Sequence, residues 1–181
     1  CVLCVTTSVG GGMIRDLLLG ITPPNIFRNP QNTVIALAVS IVVFLILYLR
    51  HGSMDGRLAA VYDRIMMVFD AVGLGVFTAM GINTAREAGY DQTFLLVFVG
   101  VITGVGGGLL RAVMAQEKPY ILTKHIYACA SIAGALTCVY TWKVLGNIPS
   151  IMLGVAAVII VRFLAMHSRW NLPRLESDSP S

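Results

Sequence analysis

Two copies of one motif carry the residues with the clearest potential for chemistry in this chain. The first copy reads Gly10-Gly11-Gly12-Met13-Ile14-Arg15-Asp16, and the second reads Gly106-Gly107-Gly108-Leu109-Leu110-Arg111-Ala112. The copies lie 96 positions apart, and the same spacing relates three further pairs: Thr7 and Thr103, Val9 and Val105, and Pro23 and Pro119. This internal duplication sets glycines and a charge together in apolar sequence, a combination typical of transport sites in membrane helices.

Each glycine triplet has two possible physical uses. Three consecutive glycines cost roughly 1 kcal/mol each in helix propensity relative to alanine, which favours a bent or unwound segment whose backbone groups face a polar pathway. The alternative is close helix packing, for which glycines are normally spaced along one face. We expect a break at each triplet, and we assign all six glycines to a permeation pathway: Gly10, Gly11, Gly12, Gly106, Gly107 and Gly108.

Hydroxyl side chains lie just before both triplets. Thr7 and Ser8 precede the first triplet, and Thr103 precedes the second. We expect these hydroxyl oxygens to line the opened pathway. The alternative is that they bond carbonyl groups of their own helices, as serine and threonine commonly do in membrane helices.

The arginines of the motif follow the triplets by about one helical turn. An arginine within a bilayer needs an acidic partner or a route to the lipid headgroups. Arg15 has Asp16 beside it, whereas Arg111 is followed by Ala112, so we expect Asp70 in the third predicted span to pair with Arg111. We therefore predict that these four charged residues border and gate the pathway, with snorkelling of the arginines to phosphate as the alternative.

Composition indicates an all-α, polytopic membrane protein. Hydrophobic residues make up 56% of the 181 residues, charged residues 12%, and the mean hydropathy is +0.79. A soluble domain carries about twice this share of charge. The apolar runs have the length of bilayer spans, and six are predicted at about 1–19, 33–49, 65–84, 92–111, 126–143 and 148–166.

The distribution of charge predicts the orientation of these spans. If the spans alternate, nine of the 13 lysines and arginines fall on one side and four on the other, so the first side and the C-terminus are predicted to be cytoplasmic. Arg162, near the end of the last span, is expected to anchor this cytoplasmic interface. The net charge of +4 then calls for anionic lipid as a partner and not nucleic acid.

The two glycine motifs lie three spans apart, so the second copy must cross the membrane in the opposite direction. We therefore predict two inverted three-helix repeats, with the first helix of the first repeat missing from this chain. The expected divisions are 1–49 for the remainder of the first repeat, 57–143 for the second repeat, 148–170 for a final transmembrane helix and 171–181 for a flexible tail.

Residues for catalysis or metal binding are not indicated by the sequence. The four cysteines are expected to serve in packing, and the three histidines have no metal-ligand spacing. No serine can be matched with a histidine base. We expect no enzymatic activity, no cofactor and no metal.

The motifs resemble a known family. Gly10 to Gly20 reads Gly-Gly-Gly-x-x-Arg-Asp-x-x-x-Gly, the second triplet and arginine recur downstream, and 70–81 reads Asp-x-x-Gly-Leu-x-x-Phe-x-x-x-Gly. Together they resemble the bacterial membrane family with a duplicated glycine transporter domain, which is akin to the trimeric intracellular cation (TRIC) channels. The resemblance implies seven helices per protomer, a homotrimer in the bacterial inner membrane, and one pore per protomer bent at the glycines. Ala112, in place of an acid, departs from the motif.

The leading functional hypothesis is a channel for monovalent cations, with K⁺ as the expected ion. Oxygen atoms from the hydroxyl groups would replace part of the hydration shell, and the arginines would tune the field. The alternative is a secondary transporter of a small zwitterion such as glycine, for which inverted repeats are equally suited. A non-conducting scaffold that uses its glycines for packing is the third hypothesis.

Overall fold

The computed structural model describes the backbone of residues 2–28, 56–114 and 126–167 and of positions 34, 37, 38 and 41. Side chains are described for 6–7, 9–28, 68–114, 127–165 and the same four isolated positions. All regular elements in these ranges are helices: α1 (Val2–Leu18), α2 (Asn25–Arg28), α3 (Gly56–Glu87), α4 (Thr93–Met114), α5 (Ile126–Leu145) and α6 (Asn147–His167). The predicted all-α class is confirmed.

Four of the helices are long and apolar enough to cross a membrane. Their candidate spans, among the described residues, are Val68–Glu87, Thr93–Met114, Tyr127–Leu145 and Asn147–Ala165. They correspond to the last four predicted spans, and α1, with 17 residues, corresponds to the first. The predicted span 33–49 lies outside the described residues except at its four isolated positions, and so does the tail 171–181.

The surface of the bundle is apolar, whereas many of the fully buried groups are polar. Large side chains project outward along the spans, among them Phe69, Phe94, Tyr140 and Met152. The interior holds hydroxyl, carboxylate and guanidinium groups, including Thr78, Thr103, Ser131, Asp16 and Arg162. This distribution is expected where lipid is the solvent, because small and polar residues then hold helices together.

Small residues allow the helices to pack closely. Gly146, with φ of 79°, separates α5 from α6 and turns the chain back on itself. In this hairpin a Cβ atom at Gly134 would lie 2.8 Å from the carbonyl oxygen of Gly154, so the two backbones touch. α3 packs against α1, α4, α5 and α6, and α4 packs against α1, α3 and α5.

The predicted unwinding at the glycine triplets is wrong, and a bend at either triplet stays a prediction. α1 continues as α-helix through Gly10–Gly12, and α4 continues through Gly106–Gly108. The physical reason lies in the solvent. A backbone group left unbonded in lipid costs several kcal/mol, which outweighs the roughly 1 kcal/mol that each glycine costs in helix propensity.

Candidate functional site

The two glycine triplets form a backbone-to-backbone crossing of α1 and α4. A Cβ atom at Gly11 would overlap the carbonyl oxygen of Thr103, and a Cβ atom at Gly107 would overlap the carbonyl oxygen of Thr7. Gly11 and Gly107 are both buried. Any side chain at these two positions would push the helices apart, so the glycines act here as packing residues. We call this contact the glycine crossing.

Contacts at the glycine crossing are reciprocal. Gly107 is the counterpart of Gly11 in the second copy of the motif, and Thr7 is the counterpart of Thr103 in the first. The contact of Gly11 with Thr103 therefore has an equivalent in the contact of Gly107 with Thr7. The same correspondence relates two side-chain contacts: Gly10 meets Leu110, and a Cβ atom at Gly106 would lie 3.3 Å from Cδ1 of Ile14. Rising numbers in α1 meet falling numbers in α4, so the helices are antiparallel. This is the relationship expected of inverted copies, and the full three-helix extent of each repeat stays a prediction.

The hydroxyl group of Thr103 bonds its own helix. Its Oγ1 atom donates to the carbonyl oxygen of Val99 at 2.6 Å, and the residue is buried. Thr7 is half-buried with its carbonyl oxygen against Gly107. Ser8 lies within α1, but its side chain is outside the described set. The role of these three residues as oxygen donors on a pathway stays a prediction.

One end of the bundle carries a buried ion pair within α1. Nη2 of Arg15 lies 2.7 Å from Oδ1 of Asp16, and Nε donates to the same oxygen at 2.9 Å. The second carboxylate oxygen of Asp16 accepts a bond from the backbone N–H of Asn25 at 2.7 Å. Asp16 therefore neutralises Arg15 and also fixes the chain that follows α1. We call Arg15, Asp16 and Asn25 the Arg15 cluster.

The opposite end carries a second ion pair, between α3 and α6. Nη2 of Arg162 lies 2.8 Å from Oδ2 of Asp70. The guanidinium carbon of Arg162 lies 4.7 Å from the ring centroid of Tyr127 on α5, whose hydroxyl group donates to Oδ1 of Asp70 at 3.3 Å. We call Asp70, Tyr127 and Arg162 the Asp70 cluster. The Arg15 cluster lies at the C-terminal end of α1, and the Asp70 cluster lies near the C-terminal end of α4. Because α1 and α4 are antiparallel, the two clusters lie at opposite ends of the bundle.

Two sequence-based expectations about charge are corrected by the Asp70 cluster. Asp70 pairs with Arg162 and not with Arg111, and Arg162 is a buried ion-pair partner and not an interface anchor. Arg162 is the buried partner, whereas the Asp70 side chain is half-buried, and a buried guanidinium group without an acidic partner would be strongly destabilising. In this fold α6 packs against α3 and brings Arg162 to that position.

The third glycine of each triplet is covered by a polar group. A Cβ atom at Gly12 would lie 3.8 Å from Nη2 of Arg15, and a Cβ atom at Gly108 would lie 3.2 Å from the hydroxyl oxygen of Tyr127. Each charged cluster therefore touches one triplet.

Comparison with known proteins decides the family. The model of a family described as Glycine transporter matches residues 1–48 and 67–143. The chain belongs to the Glycine transporter family. The resemblance stated on the sequence motifs is thereby confirmed.

Relatives of this Glycine transporter family member are bacterial membrane proteins. The UPF0126 inner membrane protein YadS of Escherichia coli K12 is 39% identical over 182 residues, which cover 98% of this chain and 82% of YadS. The UPF0126 membrane protein YvgT of Bacillus subtilis is 31% identical, and the match covers 95% of this chain and 80% of YvgT. The chain is an integral membrane protein.

Solved structures of TRIC cation channels share its fold. One of these structures was determined to explain conductance through TRIC cation channels. It is 30% identical in sequence with a TM-score of 0.79, and the match covers 97% of this chain and 82% of the TRIC chain. A TRIC trimeric intracellular cation channel orthologue from Rhodobacter sphaeroides has a TM-score of 0.78 and 30% identity. The match covers 91% of this chain and 80% of the orthologue. The TRIC channel fold of this family member is therefore established.

Sequence reasoning did not include Asn25 or Tyr127 in the site, and it assigned Arg162 to the membrane interface. The signal for Arg162 was present, because an ionisable residue inside an apolar span marks a functional position by default. No comparable signal marks Tyr127. Among the described residues, no group of three histidine, cysteine, aspartate or glutamate side chains could hold a metal ion.

Proposed function

We propose that this protein forms a membrane pathway for monovalent cations, with K⁺ as the principal ion and one pathway in each protomer of a homotrimer. The observation that carries the proposal is the fold similarity to TRIC cation channels at 30% identity over nearly the whole chain. One of the similar structures is a prokaryotic TRIC channel determined in 0.5 M KCl. This family setting favours permeation over enzymatic catalysis.

The glycine crossing gives the pathway its proposed point of control. The backbones of α1 and α4 touch at Gly11 and Gly107, which leaves no room for an ion between them. We therefore assign the described conformation to a closed state, and opening to a separation or rotation of α1 against α4. Glycines suit such movement because they have no side chains to interlock.

The charged clusters supply the electrostatics of the proposed pathway. Arg15 is neutralised by Asp16, and Arg162 by Asp70, so the guanidinium groups oppose cation entry less than unpaired charges would. We keep Arg15, Asp16, Asp70 and Arg111 as gating residues and add Arg162. Thr7, Ser8 and Thr103 are the proposed sources of oxygen atoms near the crossing.

Several further assignments accompany this proposal. We propose that the C-terminus lies in the cytoplasm and that the basic residues on that side bind anionic lipid. The divisions 1–49, 57–143, 148–170 and 171–181 are kept as the proposed organisation of the chain.

The family description itself supports a second candidate, secondary transport of glycine or another small zwitterion. Inverted repeats serve alternating-access transporters as well as symmetric pores. A flux assay separates the two. Purified protein in proteoliposomes should release K⁺ down its gradient without added amino acid, whereas a transporter should instead show saturable [¹⁴C]glycine uptake and counterflow. Glycine counterflow without passive K⁺ flux would replace the first candidate by the second.

A further inference from the structure

Arg86 lies near the C-terminal end of α3, at the end of the bundle that carries the Arg15 cluster. One hydrophobic cluster contains Leu19, just after α1, and Ala85 of α3, and Trp142 of α5 packs against it. The C-terminal turns of α1, α3 and α5 therefore meet at this end. It lies opposite to the C-terminal end of α6, because α5 and α6 form a hairpin.

The guanidinium group of Arg86 is shielded but only partly paired. Its carbon atom lies 4.5 Å from the ring centroid of Trp142, and its Nε atom is buried with no hydrogen-bond partner among the described residues. Nη1 lies 3.9 Å from Oδ1 of Asp91, which is beyond hydrogen-bond range. A buried donor without an acceptor is destabilising, so this group favours an acceptor from outside these contacts.

Asp91 comes close to Arg86 because Gly89 turns the chain at the end of α3. Gly89 has φ of 89°, and its backbone N–H donates to the carbonyl oxygen of Arg86 at 2.8 Å. The Asp91 side chain remains 92% exposed, whereas that of Arg86 is 15% exposed. A shielded cation thus lies next to a carboxylate that faces the surroundings.

The position of these side chains along the helices corresponds to the depth of lipid headgroups. The candidate spans end at Glu87 in α3 and at Leu145 in α5, so Arg86 and Trp142 each lie in the last turn of a span. Tryptophan is enriched at this boundary, and arginine side chains there reach towards phosphate. A membrane lipid is therefore the source of an acceptor that this position favours.

The charges at this end are balanced. The last turns of α3 and α5 and the connection that follows α3 carry two cations and two anions: Arg86, Lys143, Glu87 and Asp91. A headgroup that carries one charge of each sign matches this balance better than one that carries only a negative charge.

We propose that Arg86, Trp142 and Asp91 form a binding site for a phospholipid with an ethanolamine headgroup. The guanidinium group donates to the phosphate while its face stays on the Trp142 ring, and the lipid ammonium group pairs with the Asp91 carboxylate. Arginine suits this role because its planar group can stack on a ring and bond phosphate at the same time. The inference does not rest on the proposed cation pathway.

Native mass spectrometry of the purified protein in detergent tests the site. Phosphatidylethanolamine and phosphatidylglycerol with the same acyl chains are added in equal amounts. We expect phosphatidylethanolamine to be retained about two- to fivefold better, the preference that one exposed charge pair can supply. Arg86→Gln should reduce the retention of both lipids about tenfold, because the charged donor to phosphate is lost.

Arg28→Gln is the matched arginine control. Arg28 lies at the same end of the bundle, where it is exposed and its Nη2 atom donates to the carbonyl oxygen of Thr22. This substitution should leave lipid retention unchanged. Arg86→Lys keeps the charge and serves as the test variant if Arg86→Gln does not fold. It loses the planar donor group and should still lower retention severalfold.

Asp91→Asn separates headgroup recognition from phosphate binding. Phosphatidylglycerol should remain bound, but the preference for phosphatidylethanolamine should disappear, because an amide has no charge to pair with the ammonium group. An excess of inorganic phosphate should not displace the lipid. Displacement by phosphate would assign the site to a free anion and overturn the lipid assignment.

Three further results would overturn the inference. They are equal retention of the two lipids by the wild-type protein, normal retention in the Arg86 variants, and an unchanged preference in Asp91→Asn. None of them bears on the proposed function, which is tested by ion flux and not by lipid binding.

Discussion

Asp70 and Arg162 form a 2.8 Å ion pair although 92 residues separate them in the chain. The pair joins α3 of the proposed second repeat to α6, which lies outside both proposed repeats. A charge pair in low dielectric is destabilised strongly when one partner is lost, so this contact fixes the final helix against the repeat. The same pair lies next to the second glycine triplet through Tyr127.

Substitution of the central glycines should open the helix crossing. In Gly11→Ala the new methyl group overlaps the carbonyl oxygen of Thr103, and we expect a loss of about 1–3 kcal/mol in the free energy of unfolding, together with altered K⁺ flux. Thermal unfolding in detergent measures the first effect. Gly73→Ala on α3 is the control, since a Cβ atom there meets nothing within 4 Å. Equal stability of the two variants would contradict the close crossing.

The sequence predicted the helical membrane fold better than it predicted the geometry at the glycine triplets. Composition and run length were sufficient for the four candidate spans among the described residues, because lipid selects apolar segments of fixed length. The expected unwinding was wrong because glycine propensities describe peptides in water, where a freed carbonyl of Gly11 or Gly107 could bond solvent. In lipid the better use of these glycines is the contact with Thr103 and Thr7.

The pairing of Asp70 could not be predicted from repeat symmetry. Arg111 was the expected partner because it occupies the position of Arg15 in the second motif. Arg162 lies on a helix outside both proposed repeats, so the predicted duplication gives no information about its neighbours. Tyr127 was missed because a tyrosine in an apolar span is ordinary, and its hydroxyl contact depends on packing against Gly108.

Removal of the Asp16 carboxylate should expose the dependence of Arg15 on its partner. In Asp16→Ala, Arg15 loses both of its bonds to the carboxylate while remaining buried, and we expect a loss of about 3–5 kcal/mol in the free energy of unfolding. The double variant with Arg15→Ala should recover part of this loss. Asp91→Ala is the control, because Asp91 is exposed and lies 3.9 Å from Arg86, so little change is expected. A small effect of Asp16→Ala would show that Arg15 has another adequate partner.

The proposed role of the Thr103 hydroxyl group can be separated from its role in its own helix. Thr103→Val keeps the shape of the side chain and removes the group that donates to Val99. If Thr103 supplies an oxygen atom to passing ions, K⁺ flux should fall severalfold while thermal unfolding changes little. Unchanged flux would limit the hydroxyl group to its helix and remove Thr103 from the pathway.

The orientation of the protein follows from its basic residues. If the six predicted spans alternate, nine of the 13 lysines and arginines fall on the side of the C-terminus, so a reporter fused after Ser181 that is active only in the cytoplasm should be active. A second reporter that is active only after export should be silent at the same position. The reverse pattern would invert the side assigned to each charged cluster.

Single-channel recording tests the central claim most directly. Purified wild-type protein in a planar bilayer with K⁺ solutions should give discrete unitary currents, which reverse at the K⁺ equilibrium potential under a KCl gradient and need no glycine. A wild-type protein that gives no unitary cation current, and instead exchanges glycine across the same membrane, would contradict the channel account.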